Sequence, residues 1–159
     1  MTRELHPNDD TCPAGLVFLV YALGSMASAA AGRLADRYGR RAVVPVSVLV
    51  MLVGLLGTAA QPLALVVAAL AVMTGGFFAA HGVASGWVAA RAQLGGRPVG
   101  QAASLYSFWY YVGSSVGGTV AGRAWQDAGW PGVALLAGGC ATAALLLTVA
   151  LGRTRSLQP

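Results

Sequence analysis

The chain has 159 residues, of which 57% are hydrophobic and 9% are charged. An average soluble domain carries about 25% charged residues, so this composition excludes an ordinary soluble protein and indicates a membrane protein with the lipid bilayer as its first partner. The net charge of +5 results from ten arginines and five acidic residues. The arginines lie mostly in short segments outside the apolar runs and form no basic stripe on a soluble helix. This distribution excludes nucleic acid as a partner.

Five apolar runs follow one another along the chain, and each approaches or exceeds the roughly 20 residues that a helix needs to cross a bilayer. The predicted spans are 13–31, 42–60, 62–90, 100–122 and 130–151. They form a helical bundle at 13–152, between a polar tail at 1–12 and a short tail at 153–159. The second and third spans divide at Gln61–Pro62, because proline suits the first turn of a helix. The predicted fold class is an all-α membrane protein.

The arginines also predict the orientation of the bundle. If the segment at 32–41 faces the cytoplasm, eight arginines lie on the cytoplasmic side, and only Arg3 and Arg123 lie outside. Cytoplasmic loops of membrane proteins carry an excess of basic residues. We therefore expect the amino terminus outside and the carboxyl terminus in the cytoplasm.

The segment between the first two spans reads GRLADRYGRR at 32–41 and is predicted to form a loop. Asp36 can pair with the neighbouring arginines through charge-assisted hydrogen bonds, and Gly39 permits a tight turn with positive φ. Arg40 and Arg41 begin the second span, where the helix dipole disfavours cations, so a partner carboxylate or an anionic lipid headgroup is expected there. The simpler alternative is a basic loop that only fixes orientation.

The spacing Gly-x-Leu-Ala-Asp-Arg-x-Gly-Arg-Arg in this segment closely resembles the loop signature of the major facilitator superfamily of transporters. The segments at 79–87 and 110–118 are also similar to the tenth and eleventh helices of bacterial inner-membrane drug and sugar efflux proteins. The resemblance covers about 13–153 and implies that the five spans correspond to helices eight to twelve of a twelve-helix carrier. In that family the loop is a conformational latch, whose ion pairs hold the cytoplasmic side closed. The latch residues on this match are Gly32, Asp36, Arg37, Gly39, Arg40 and Arg41.

Polar side chains at helical spacing inside a span predict the face that turns toward protein or water. In the third span, His81 and Ser85 share such a face, and His81 is the only ionisable residue well inside a span. His81 can handle a proton or a substrate, or it can be a neutral histidine that is hydrogen-bonded to a neighbouring helix. With the polar face of the fourth span, the candidate cavity or proton site comprises His81, Ser85, Tyr111 and Ser114.

Two further features of the spans concern packing and stacking. Glycines four residues apart predict close helix crossings, and these pairs are Gly82/Gly86, Gly113/Gly117 and Gly118/Gly122. The aromatic residues at 106 and 109–111 can stack on an aromatic or cationic substrate, or they can serve only for packing.

No catalytic motif, metal-ligand spacing or phosphate-binding loop occurs in the sequence, so we predict no enzymatic activity, no metal and no cofactor. The resemblance implies a secondary transporter of the bacterial inner membrane that exports an unknown small molecule. Because such carriers place the substrate between two six-helix halves, the chain would be a truncated or split product. It would then need an amino-terminal half or a second copy of itself. The alternative is a non-transporting membrane remnant or an interaction subunit.

Overall fold

A computed structural model describes the backbone over residues 11–60 and 62–153, and the side chains over 22, 24–60 and 62–150. Four helices fill these ranges, and they are α1 Thr11–Tyr38, α2 Arg40–Gly57, α3 Leu63–Leu94 and α4 Val99–Arg153. The described residues contain no β-strand. The predicted all-α fold class is therefore confirmed.

α4 consists of two helices that meet at a sharp break. Gly129 has φ 62° and ψ −149°, a conformation that is essentially restricted to glycine, and Pro131 follows in the first turn beyond it. A continuous helix of 55 residues would extend about 80 Å, whereas the hydrocarbon core of a bilayer is about 30 Å thick. The break divides α4 into 99–128 and 130–153, which contain the predicted fourth and fifth spans.

The segment at 32–41 is mostly helical, which corrects the prediction of a loop. α1 continues through Gly32 to Tyr38, and α2 begins at Arg40, so Gly39 alone separates the two helices. The helix continues because the residues from 33 to 38 include no glycine or proline, and alanine, leucine and arginine favour helix. Gly39 has φ 86°, so the predicted turn with positive φ is present at this residue.

α3 is the central helix of the bundle and contacts α1, α2 and α4. Small residues line these contacts, because they let helix backbones approach closely. A buried apolar cluster forms where α1, α2 and α3 meet, and its members are Ala31, Ala35, Val43, Val44, Ala79 and Val83.

The closest approach in the described bundle joins α2 to α3. A Cβ atom placed on Gly76 would lie 2.5 Å from the backbone nitrogen of Met51 and 2.8 Å from the carbonyl oxygen of Ser47. On the other side of this crossing, a Cβ atom on Gly54 would overlap the backbone of Met73. Glycine is therefore required at both positions for the two helices to touch.

Most of the glycines predicted to mark crossings do not contact another helix within the described chain. Gly82 is the exception, since it packs against Ser28 of α1. A Cβ atom would meet nothing within 4 Å among the described residues at five other positions, which are Gly86, Gly113, Gly117, Gly118 and Gly122. Among the described residues, no close helix crossing is found at those five positions.

Among the described residues, α2, α3 and the part of α4 from Val99 to Ala150 are long and apolar enough to cross a membrane. Their large apolar side chains are mostly exposed, and Leu135, for example, is 78% exposed. Soluble proteins rarely expose apolar surface on this scale. The surface of the bundle is thus suited to contact with lipid, while a membrane crossing by α1 stays a prediction.

Candidate functional site

Three aromatic rings, one from α3 and two from α4, meet beside His81. The hydroxyl oxygen of Tyr106 lies 3.0 Å from Nδ1 of His81 and 3.5 Å from the His81 carbonyl oxygen. The His81 ring is stacked on Phe77 at a centroid distance of 5.8 Å and lies 4.7 Å from the ring centroid of Tyr110. These contacts join the interior of α3 to the first half of α4.

The hydrogen bond between His81 and Tyr106 has two possible directions. If Nδ1 is unprotonated, the tyrosine hydroxyl donates to it and Nε2 carries the ring hydrogen; in the other tautomer Nδ1 donates to the hydroxyl oxygen. Both side chains are half-buried. The pair is thus partly covered by the described helices.

The other residues of the predicted cavity do not contact His81 among the described residues, although the Tyr111 ring lies 5.4 Å from the ring of Tyr110. The Ser85 hydroxyl donates to the carbonyl oxygen of Gly82 at 2.9 Å, within its own helix. Tyr111 is 68% exposed, and Ser114 is also exposed. The structure therefore brings His81 together with Tyr106 and Tyr110, and it does not bring it together with Tyr111 or Ser114.

Tyr106 and Tyr110 were predicted only as stacking or packing residues, and a regular spacing in the sequence indicates their place beside His81. Phe77 and His81 are four residues apart on α3, and Tyr106 and Tyr110 are four residues apart on α4. Residues at this spacing lie on one face of a helix. Two ring pairs with the same spacing can therefore contact each other along two helices that lie side by side, as α3 and α4 do.

A second feature is a cavity of about 720 Å³ between the α1–α2 turn and the end of α3. Of the six predicted latch residues, Asp36, Gly39, Arg40 and Arg41 line it, whereas Gly32 and Arg37 do not. Arg37 instead lies over the ring of Tyr38, with its guanidinium carbon 5.5 Å from the ring centroid.

α3 completes this cavity with Trp87, Ala90, Arg91 and Leu94. The guanidinium carbon of Arg91 lies 5.7 Å from the centroid of the Trp87 ring. This distance is typical of a cation–π contact, which holds the positive charge of Arg91 at the rim of the cavity.

The family model of the Major Facilitator Superfamily matches residues 1–159. The chain is 46% identical over 137 residues to the inner membrane transport protein YnfM of Escherichia coli (strain K12), a match that covers 86% of this chain and 31% of that protein. It is 40% identical over 117 residues to the uncharacterized MFS-type transporter YybF of Bacillus subtilis (strain 168), with 74% of this chain and 28% of that protein covered.

An uncharacterized transporter of Buchnera aphidicola subsp. Schizaphis graminum is 35% identical over 119 residues, which cover 75% of this chain and 28% of that protein. The matches with these three relatives thus span 28% to 31% of their lengths. No solved structure matches the chain significantly. The match of the family model over the whole sequence, together with these relatives, shows that the chain belongs to the major facilitator superfamily.

Proposed function

We propose that the chain acts as part of a secondary transporter that exports a small molecule across a bacterial inner membrane. The family match and the relatives named as transporters support transport over catalysis. In this proposal the chain contributes the helices that resemble the eighth to twelfth of a complete carrier. The remaining helices of the carrier complete the bundle, the amino-terminal end of this segment lies outside, and its carboxyl-terminal end lies in the cytoplasm.

The hydrogen bond between His81 and Tyr106 is the observation that carries this proposal. It places a polar, titratable pair inside two helices that are otherwise strongly apolar, and such groups within membrane helices mark substrate or proton pathways. Tyr106 orients the imidazole of His81. The neighbouring rings of Phe77 and Tyr110 offer faces on which an aromatic or cationic group of the substrate can stack.

The charged residues at the α1–α2 turn supply the conformational control. In an alternating-access carrier, two halves rock about a central site. We assign Asp36, Arg40 and Arg41 to contacts with the other half when the cytoplasmic side is closed. Gly39 holds these side chains at one end of the bundle, because its turn brings the last residues of α1 beside the first residues of α2.

The test is an efflux assay in bacteria that express the chain together with a polypeptide supplying the remaining helices. The compounds tested would be a panel of toxic amphiphiles and sugars. Their export would be measured by drug susceptibility of the cells and by release of the compound from loaded cells. We expect His81→Gln and Tyr106→Phe to lower the efflux rate, and Tyr111→Phe, which removes the same hydroxyl from an exposed ring, to leave it unchanged. Equal efflux by all variants would contradict a role of the His81 pair.

Two other candidates are a non-transporting interaction subunit and a transporting homodimer. The exposed face of α4 favours both, because each requires a contact with another protein. This face exposes Tyr111 together with Gly118 and Gly122, which meet no described residue, so it offers a surface to another protein. A homodimer predicts a dimer in detergent and solute flux in liposomes from the chain alone. A monomer without flux would contradict the homodimer, and absence of flux even with the other helices would favour the subunit.

A further inference from the structure

The cavity at the α1–α2 turn carries an excess of positive charge. Its lining includes the guanidinium groups of Arg40, Arg41 and Arg91 and the single carboxylate of Asp36. The arginines come from two different helices, since Arg40 and Arg41 begin α2 while Arg91 lies in the last turn of α3. Arg41 has an interaction partner of its own, and the one carboxylate of Asp36 cannot neutralise both Arg40 and Arg91, so an anion bound in the cavity would be stabilised.

The chemistry of these side chains favours a phosphate group. The guanidinium group presents a planar fork of N–H donors that matches phosphate oxygens in pairs. Arg40 is half-buried, whereas Arg91 is exposed at the rim. A phosphate between the two helices can therefore accept hydrogen bonds from an inner and an outer arginine at once.

The surroundings of the cavity indicate that the phosphate belongs to a lipid. The cavity lies at the ends of α2 and α3, which are both long and apolar enough to cross a membrane. Trp87 and Tyr38 line it, and such aromatic rings concentrate at the headgroup level of a bilayer. Leu94 also lines the cavity and is 78% exposed, which gives an acyl chain an apolar surface beside the charges.

We propose that this cavity binds the phosphate headgroup of an anionic phospholipid, with Arg40 and Arg91 as its principal ligands. Basic pockets between membrane helices on the cytoplasmic side bind anionic headgroups by the same chemistry. The bound lipid offsets the mutual repulsion of the arginines and stabilises the ends of α2 and α3 against each other. Arg40 is also assigned to the latch, so in a complete carrier the lipid would occupy it while the cytoplasmic side is open. Binding of the lipid by the chain alone does not require transport.

The test is native mass spectrometry of the purified full chain in detergent, with palmitoyl-oleoyl phosphatidylglycerol and phosphatidylcholine as probes. We expect Arg40→Gln and Arg91→Gln each to weaken binding of phosphatidylglycerol about fivefold, because one arginine near an anionic membrane surface contributes about this factor. Arg123→Gln removes the same charge from α4, away from the cavity, and should leave binding unchanged. Arg91→Lys keeps the charge but loses the paired N–H donors of the guanidinium group, so it should bind phosphatidylglycerol more strongly than Arg91→Gln and more weakly than the unsubstituted chain.

Two comparisons separate a lipid from other anions. Inorganic phosphate at millimolar concentration should not displace phosphatidylglycerol, and phosphatidylcholine should bind weakly to every variant. Full displacement by phosphate, equal binding of phosphatidylcholine, or an equal loss in Arg123→Gln would overturn the proposal. Circular dichroism of each variant checks that the helical content is retained, and the exposed Arg91 side chain provides a substitution that leaves the packed interior intact.

Discussion

The backbone of Met51 in α2 lies directly against Gly76 in α3. A Cβ atom on Gly76 would come within 2.5 Å of the Met51 nitrogen and 2.9 Å of its Cα atom, which is closer than non-bonded atoms can approach. Backbone atoms cannot swing away as the end of a flexible side chain can. The separation of α2 and α3 is therefore set by the absence of a side chain at residue 76.

Replacing this glycine should destabilise the bundle. We expect Gly76→Ala to lower the free energy of unfolding by about 1–3 kcal/mol, the usual cost of overpacking a close contact. The measurement is the thermal or denaturant-induced unfolding of the purified chain in detergent, followed by circular dichroism.

Gly86→Ala is the matched control, because Gly86 lies in the same helix and a Cβ atom there meets nothing within 4 Å in the described part of the chain. Alanine also favours helix over glycine by up to about 1 kcal/mol, so this variant should be unchanged or slightly more stable. A loss of stability in Gly86→Ala equal to that in Gly76→Ala would show that the α2–α3 contact is not the cause.

The hydrogen bond between Tyr106 and His81 should appear as an energetic coupling. In a double-mutant cycle with Tyr106→Phe and His81→Gln, we expect a coupling energy of about 0.6–1.7 kcal/mol, the range for hydrogen bonds between membrane helices. The free energy of unfolding in detergent is measured for the unsubstituted chain, the two single variants and the double variant. The same cycle with Tyr111→Phe in place of Tyr106→Phe should give no coupling, and equal coupling in both cycles would argue against a specific contact.

Substitution at the break in α4 should strain the backbone. Gly129 has φ 62° and ψ −149°, and a side chain in this region costs about 1–3 kcal/mol. We therefore expect Gly129→Ala to lower the unfolding temperature. Gly139→Ala is the control, because Gly139 lies in the second half of α4 and no described atom lies near its Cβ site. This variant should not lower the unfolding temperature. An unchanged melting curve for Gly129→Ala would contradict the observed break.

The proposed latch predicts an effect of Asp36 in the assembled carrier. Asp36→Asn keeps the size of the side chain and removes the charge that we assign to the latch, so we expect it to lower the efflux rate without lowering the amount of protein in the membrane. Asp127→Asn serves as the control, because Asp127 is on α4 and does not line the cavity at the α1–α2 turn. Efflux is read against protein abundance on immunoblots, and unchanged efflux in Asp36→Asn would remove this residue from the latch.

The sequence predicted the class of the fold well because every apolar run is long and the charges fall between the runs. It predicted the turn at Gly39 correctly, since positive φ favours one residue type. The continuation of α1 to Tyr38 was missed because charge was taken as a sign of a loop, although arginine and aspartate are compatible with an exposed helix end. Charge determines where a segment lies relative to the membrane and does not by itself end a helix.

The site was predicted less completely because it depends on how each helix is rotated about its axis. His81 was identified as the only ionisable residue well inside a span. Tyr106 and Tyr111 have the same chemistry, and only the packing of α4 against α3 decides which of them reaches the histidine. The same reason explains why Gly76 and not Gly118 marks a close crossing, since small residues permit contact without specifying a partner.

The turn at Gly39 has a consequence for how the protein is made. Only one residue connects α1 to α2, so the two helices cannot separate widely during biosynthesis. The arginines beside the turn also make its passage through hydrocarbon costly. We therefore expect the two helices to enter the bilayer together as a hairpin, with the turn left on the side where synthesis takes place.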